Sequence, residues 1–347
     1  MKFLILAGGT GTRLWPLSND EIPKQFHSFL GERTLLQMAY DRLGFANPED
    51  IFVSSNVRYK GIIQEQLPDL SEENIISEPM KRDTAPCISY AMKYIGDVVG
   101  VDEVVTIINA DQLIVDDQEF HEVVKVAQGK ALNENKFVLV SVKTKSPNPN
   151  LGYIKINELL DKKGEVEVYG LEKFVEKPNL EKAKEFHNSF KYLWNTAIFT
   201  WKISVFMSEL KVNAPSIYEN LMKITDFSDC ETIYSEFEKI SIDFALMEKL
   251  ENDKVVVIPA DLGWSDIGTW ETLHGELEQD EFGNVLQGEF VVDNVKNCLL
   301  INKTTTPAVL YKMENTVCVF SDYGNLVGDI YDSGTLKKLV NLLNDGR

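Results

Sequence analysis

Leu6 to Phe26, LAGGTGTRLWPLSNDEIPKQF, is the stretch richest in side chains that could do chemistry. It follows on the apolar run KFLILA, so its glycines lie where a strand gives way to a turn. Glycines at such a turn let backbone N–H groups close on phosphate oxygens with no Cβ in the way. Arg13 adds a fixed fork of donors suited to phosphate, and Lys24 a mobile point charge. Two familiar phosphate loops are excluded. No G-x-x-x-x-G-K-[ST] string occurs, and the dinucleotide pattern G-x-G-x-x-G would need glycine where Leu14 stands. A glycine pair alone is equally a tight strand-to-helix turn with solvent-exposed cations. The whole string, with both cations, reads as a phosphate cradle made by Leu6, Ala7, Gly8, Gly9, Thr10, Gly11 and Thr12.

The elements that must hold this cradle are visible in the hydrophobic pattern. KFLILA, DIFVSS, VVTIINA and KFVLVSV are short continuous apolar runs, the mark of buried parallel strands. RTLLQMAYDRLGFA, APCISYAMKYIGDVV and FHEVVKVAQGKAL alternate with them at helical spacing. That rhythm predicts an α/β domain with a mainly parallel sheet, whose ligands bind beyond the carboxyl ends of the strands. The first glycines and Asp111 both stand at such ends. A β-rich insertion starts at SPNPNLGYIKI and runs to VYGLEKFVEKP. Helical spacing returns in NLEKAKEFHNSF, KISVFMSELKVNA and SIDFALMEKL. From Val285 to about Ile330, β-prone pieces (EFVVDN, NCLLINK, PAVLY, TVCVFSD) are separated by polar turns, and GTLKKLVNLL predicts a closing helix.

Bulk composition narrows the partners. Lys and Arg number 35 against 54 Asp and Glu, a formal charge of −19 at pH 7, which argues against nucleic acid or an anionic membrane as partner. An anionic ligand would therefore need a local pocket of positive charge. The apolar run at the N-terminus is shorter than a signal peptide requires, and no stretch approaches a membrane span. Cys87, Cys230, Cys298 and Cys318 are far apart with no C-x-x-C pair, so buried reduced thiols in a cytoplasmic protein are expected. The 4 histidines are scattered and suggest neither a zinc site nor a nucleophile pair.

The signature stretch resembles that of the sugar-phosphate nucleotidylyltransferases, and its LWPLS and PKQF details resemble the mannose-1-phosphate guanylyltransferase branch. EPMKRDTAPC, INADQLI, FVEKP, WNTAIF, SIDFALMEKL and GWSDIGTW follow in that family's order, so the resemblance spans most of the chain. It implies a Rossmann-like, GT-A-like nucleotidyltransferase domain over 1–277, with a sugar-binding β-rich insertion at about 150–200. A small C-terminal domain of left-handed β-helix type would occupy 283–347 and contribute to a homodimer.

By that resemblance Asp111 and Asp266 hold the catalytic Mg2+, with Mn2+ an alternative. A hard divalent cation does want carboxylate oxygens, although each residue alone could be a helix cap or a turn. Gln112 stands where the family has histidine. Glu78, after the strand-like NIISEP, could read guanine, because a carboxylate accepts from both N1–H and the exocyclic amine while uracil and adenine lack that paired edge. It is equally a surface glutamate before a proline. Arg82, Asp83 and Thr84 are assigned nucleotide contacts more loosely. The resemblance has Glu176 accepting from sugar hydroxyls, Lys177 gripping the sugar phosphate and Asn195 touching the sugar. Gly152 would allow close backbone approach, unless it is a plain turn glycine. Thr196 and Ala197 replace the family's commoner Ser-Gly and could reshape the sugar pocket.

The implied reaction is GTP plus mannose 1-phosphate giving GDP-mannose and pyrophosphate. It would run by direct displacement, with Arg13, Lys24, Asp111 and Asp266 as the catalytic set. Two rivals stay open: a guanylyltransferase for another sugar 1-phosphate of heptose or fucose type, and a non-catalytic nucleotide-sugar sensor.

Overall fold

The computed structural model describes residues 1–9 and 11–345. They form two compact units. One comprises Met1–Gly8, Ala39–Ala110 and Ile114–Trp264, the other Gly9–Met38, Asp111–Leu113 and Ser265–Arg347.

The first unit is built on a nine-stranded sheet. Its strands are β1 (Lys2–Leu6), β2 (Ile51–Asn56), β3 (Ile75–Glu78), β4 (Val104–Asn109), β5 (Phe137–Lys143), β6 (Tyr153–Lys163), β7 (Val166–Val175), β8 (Tyr192–Lys202) and β9 (Val255–Ala260), in the order β3-β2-β1-β4-β8-β5-β9-β7-β6. The block β3-β2-β1-β4 is parallel throughout, and its strands are the apolar runs expected of a sheet buried on both faces. Helices Thr84–Val99 and Asp117–Glu134 supply crossovers, each N-capped by the aspartate before it, Asp83 and Asp116. The core gathers around Trp201. Its ring stacks on Phe199 and Phe206 at 5.6 and 5.0 Å, and its Nε1 donates to the Met92 sulfur at 3.3 Å. Fully burying each of those phenylalanine side chains stabilises the unit by about 1.5–3 kcal/mol.

In the second unit the chain coils. β10 (Val285–Gln287), β12 (Leu299–Asn302) and β14 (Thr316–Ser321) pair in parallel in one sheet, closed by antiparallel β15 (Gly324–Asp329). The intervening β11 (Phe290–Lys296) and β13 (Ala308–Glu314) pair in parallel in another. Successive strands thus alternate between two faces, the path of a β-helix. Inward residues Val285, Leu299, Ile301, Val317 and Val319 share a core with Leu14, Leu17, Phe29, Trp270 and Leu273. The signature segment and the C-terminal coil are therefore one packing unit. Gly324 is required here, since a Cβ on it would lie 2.6 Å from the Trp15 ring.

Some local structure departs from the pattern reading. The glycine loop runs into one short 3-10 turn, Thr12–Leu14, and not into a helix, because Pro16 and Pro23 interrupt any helix that would follow. The first α-helix is Leu35–Asp41, shorter than its apolar spacing suggests. SIDFALMEKL divides into a four-residue helix, Ile242–Ala245, and a 3-10 turn, Met247–Lys249. Strand β8 is not evident from the hydrophobic pattern, although it lies at the sheet's centre, antiparallel to both neighbours, and the apolar run VVVIPA of β9 is a further strand not singled out above.

Strand β8 also holds an irregularity that accounts for the Thr196-Ala197 departure. Val140 pairs with Ile198 but Ser141 with Asn195, so Thr196 and Ala197 bulge out of the ladder. Thr196 is fully buried. Its hydroxyl donates to the Val140 carbonyl at 2.7 Å and accepts from the Ile198 N–H at 3.2 Å. A hydroxyl is what the bulge needs at that place, and serine or threonine supplies it equally. Ala197 takes φ 56°, a left-handed backbone that glycine adopts freely and alanine does not. The Thr196 hydroxyl is thus committed to the bulge, and the cost of the substitution falls on the Ala197 backbone. Ala197→Gly should stabilise the protein by about 1 kcal/mol. A thermal melt of the two proteins, with the variant's midpoint higher by roughly 2 °C, checks this.

Candidate active site

The second unit assembles the cation and the two aspartates. Lys24 is almost completely buried. Its ammonium lies 3.1 Å from Asp111 Oδ2 and donates to the carbonyls of Asp266 at 2.8 Å and Ile267 at 3.2 Å. It is thus a locked charge and not the mobile one its side-chain length suggests. A single antiparallel bridge explains how distant segments meet: the amides and carbonyls of Leu113 and Ser265 exchange hydrogen bonds at 2.9 and 3.0 Å. Asp111 and Asp266 stand within two residues of it. Ile267, fully buried, takes φ 40°, a costly backbone for a β-branched side chain, held next to a candidate metal ligand. The Asp266 carboxylate folds over Gly268, where an added Cβ would lie 2.7 Å from Oδ2. Asp111 keeps its side chain 42% exposed, and the helix that follows is capped by Asp116 instead, so the Asp111 carboxylate can meet a ligand.

These residues suit a hard divalent cation. The donors are two carboxylates with no thiolate or imidazole, the class that magnesium and manganese prefer. The Lys24 ammonium seated on Asp111 shows that the place favours positive charge. Among the described residues no group of three or more His, Cys, Asp and Glu side chains gathers, so phosphate and water would have to complete the shell.

The glycines of the loop divide in function. A Cβ placed on Gly8 or Gly9 would meet no atom within 4 Å, which leaves their Cα side open to a ligand. Gly11 is closed: at φ 57°, its Cβ would lie 2.7 Å from the Ser18 hydroxyl and 2.8 Å from Lys24 Cβ. Gly11 therefore holds Lys24 in place. Leu6 and Ala7 are buried at the end of β1, and Arg13 is half-buried on the 3-10 turn. Thr10 and the Thr12 side chain lie outside the described residues.

In the first unit, Glu78 is no surface glutamate. It is buried at the end of β3, and the Tyr234 hydroxyl donates to its Oε2 at 2.6 Å. Burial raises its pKa from the ordinary glutamate value, and the Tyr234 bond opposes that rise. The Cys87 thiol is pushed well up, by burial first and then by the Glu78 charge, so it stays a thiol. The rest of this loop is tied to structure. Arg82 Nη2 donates to the Ser235 carbonyl at 2.6 Å, Asp83 caps the helix from Thr84, and the Thr84 hydroxyl accepts from the Ile242 N–H at 2.8 Å.

The same unit brings together the residues expected to meet the sugar. Glu176 follows β7, its side chain only 5% exposed, paired with the Lys177 ammonium. A Cβ on Gly152 would lie 2.5 Å from Glu176 Oε2 and 3.1 Å from Asn195 Cβ. What approaches Gly152 closely is thus the Glu176 carboxylate and the Asn195 side chain. Two acids that the sequence pattern does not single out support this group. Asp243 Oδ1 accepts from Asn195 Nδ2 at 3.2 Å, and Glu248 Oε1 accepts from the Glu176 N–H at 2.9 Å. Both come from SIDFALMEKL, and the signal available was an acid placed among its apolar residues. Gly152→Ala should displace the Glu176 carboxylate while leaving Lys24 and Asp111 alone. Steady-state kinetics should then show KM for the sugar phosphate raised about tenfold or more and KM for the nucleotide within a factor of about two.

Known proteins carry the same organisation. Residues 2–281 match the nucleotidyl transferase family. The alginate biosynthesis protein AlgA of Pseudomonas fluorescens is 33% identical over 354 residues, covering 99% of this chain and 71% of that protein. Mannose-1-phosphate guanylyltransferase 2 of Escherichia coli O157:H7 is 34% identical over 354 residues, covering 98% and 73%. The crystal structure of mannose-1-phosphate geranyltransferase from Thermus thermophilus superposes with a TM-score of 0.85 at 26% identity, over 99% of each chain. The Asp111 carboxylate on Lys24, the open Gly8-Gly9 turn and these likenesses agree: this chain belongs to the nucleotidyl transferase family and is a transferase of that class.

Proposed function

We propose that the chain transfers GMP from GTP to mannose 1-phosphate, releasing pyrophosphate and forming GDP-mannose. The observation that carries this reading is the Lys24 ammonium joined to the Asp111 carboxylate and to the Asp266 backbone. The substrates are taken from the names of the relatives in Escherichia coli and Klebsiella pneumoniae, each a mannose-1-phosphate guanylyltransferase.

The attacking phosphate oxygen is already an anion, so no base is needed to create it. It forms a bond to the α-phosphorus as the bond from that phosphorus to the bridging β-oxygen breaks, and pyrophosphate leaves. Repulsion between two anions is the obstacle, and positive charge with alignment is the remedy. Asp111 and Asp266 would hold Mg2+ or Mn2+, which supplies charge neutralisation on the phosphates. Gly8 and Gly9 present backbone to the triphosphate, and Arg13 and Lys24 offset the charge on the leaving group. Glu78 accepts from guanine, with Arg82, Asp83 and Thr84 shaping its loop. Lys177 takes the sugar phosphate, and Glu176 and Asn195 take sugar hydroxyls.

The functional division at 1–277 and 283–347 belongs to this reading. So does a homodimer through the β11–β13 face, where Val291 and Val309 pair in register and stand 62% and 69% exposed. No helix among the described residues is long and apolar enough to cross a membrane, and we place the protein in the cytoplasm.

Pyrophosphate release should require GTP, mannose 1-phosphate and a divalent ion together. Lys24→Met, Asp111→Asn and Asp266→Asn should each lower kcat by about 10²–10³ in that assay. Release at wild-type rates from all three variants would overturn the reading. Glu78→Gln should erode the preference for GTP over the other triphosphates, measured as a ratio of kcat/KM values; full retention would remove Glu78 as the base reader.

A further inference from the structure

The segment Ile240–Glu248 has no role in the reaction described above, yet it binds three parts of the first unit together. The Ile240 carbonyl accepts from the Ala85 N–H at 3.1 Å, and the Ile242 N–H donates to the Thr84 hydroxyl. Asp243 holds Asn195, and Glu248 holds the backbone of Glu176. One short segment thus holds the loop after Glu78, the backbone of Glu176 and the side chain of Asn195.

The Asn195 amide is fixed at both ends. Its Oδ1 accepts from the Ala197 N–H at 3.0 Å, and its Nδ2 donates to Asp243 Oδ1 at 3.2 Å. Turning the amide over would set Nδ2 against the Ala197 N–H and Oδ1 against a carboxylate, losing both bonds to like pairing. One N–H and one lone pair remain for a ligand, on a residue only 8% exposed. We propose that Asp243 is a positioning residue, which orients the Asn195 amide and thereby decides the hydrogen-bond polarity that Asn195 presents to the sugar. The proposal rests on the reading that Asn195 meets the sugar phosphate.

Asp243 holds this place at an energetic cost. Its carboxyl is pushed up to about 7, by burial first and then by the Glu176 charge, with Asp83 adding to the rise and Lys177 opposing it. A carboxyl placed in so unfavourable a setting fits a functional demand.

The test is a double-mutant cycle on the full chain. Asp243→Ala should raise KM for mannose 1-phosphate about tenfold, the loss of one hydrogen bond to a charged group, with KM for GTP within a factor of about two. Asp243→Asn keeps an acceptor and should restore most of that loss. In an Asn195→Ala background, Asp243→Ala should add less than about a twofold change, because its route of action is gone. An equal rise in both backgrounds, or none in either, would overturn the proposal. A second readout needs no turnover: the Asn195 side-chain 15N amide signal, assigned by its loss in Asn195→Ala, should shift in Asp243→Ala. An unshifted signal also overturns it. Wild-type protein inert with every sugar 1-phosphate would sink the proposed function, while the amide signal would still decide the Asp243–Asn195 link.

Discussion

The ammonium of Lys24 is the charge around which the second unit's chemistry is organised. A buried cation is expensive unless every donor is met and an anion stands beside it. Here two carbonyls and one carboxylate meet it, from segments that are remote in the chain. The ion pair is only part of the arrangement. Asp111 remains partly exposed, so its attraction to Lys24 is screened and its carboxylate is accessible to a ligand. The site is therefore held together by the lysine without being filled by it.

Around that charge, several residues do work that their types alone do not announce. Gly11 closes on Lys24 and Gly268 makes room for the Asp266 carboxylate, whereas Gly8 and Gly9 face open space. Ile267 keeps a strained backbone with its side chain in the core, so packing energy sustains a conformation that aims Asp266. The same core contains Leu14 and Leu17 of the signature segment and the inward rows of the coil. Strain at the site and burial in the tail are two sides of one balance.

The first unit follows a different logic. Its acids are buried and raised rather than paired with a buried cation: Glu78 beneath Tyr234, and Asp243 beside Glu176. The Lys177 ammonium reaches this group through Glu176 and lies on the solvent side. Such a cluster accepts hydrogen bonds, which suits uncharged hydroxyls and base edges better than phosphate. The two units thus present chemically distinct sets of polar side chains.

Much of this is legible in the sequence. Continuous apolar runs are a direct consequence of burial on two faces, so β1, β2, β4 and β5 can be read from composition alone, as can the long helices with their helical spacing. Lys24 stands out within the glycine-rich signature and Asp111 at a strand end, whereas Asp266, Glu176 and Asn195 are singled out by the resemblance of GWSDIGTW, FVEKP and WNTAIF to the family's motifs. Strand β8 cannot, because its bulge and its polar centre break the period, and only pairing on both sides makes it a strand. Nor can the burial of Glu78, the locking of Lys24 or the hold of Asp243 on Asn195. Residue type and local spacing determine which chemistry a chain is equipped for. Which donor faces which acceptor depends on long-range packing, and only the folded structure decides it.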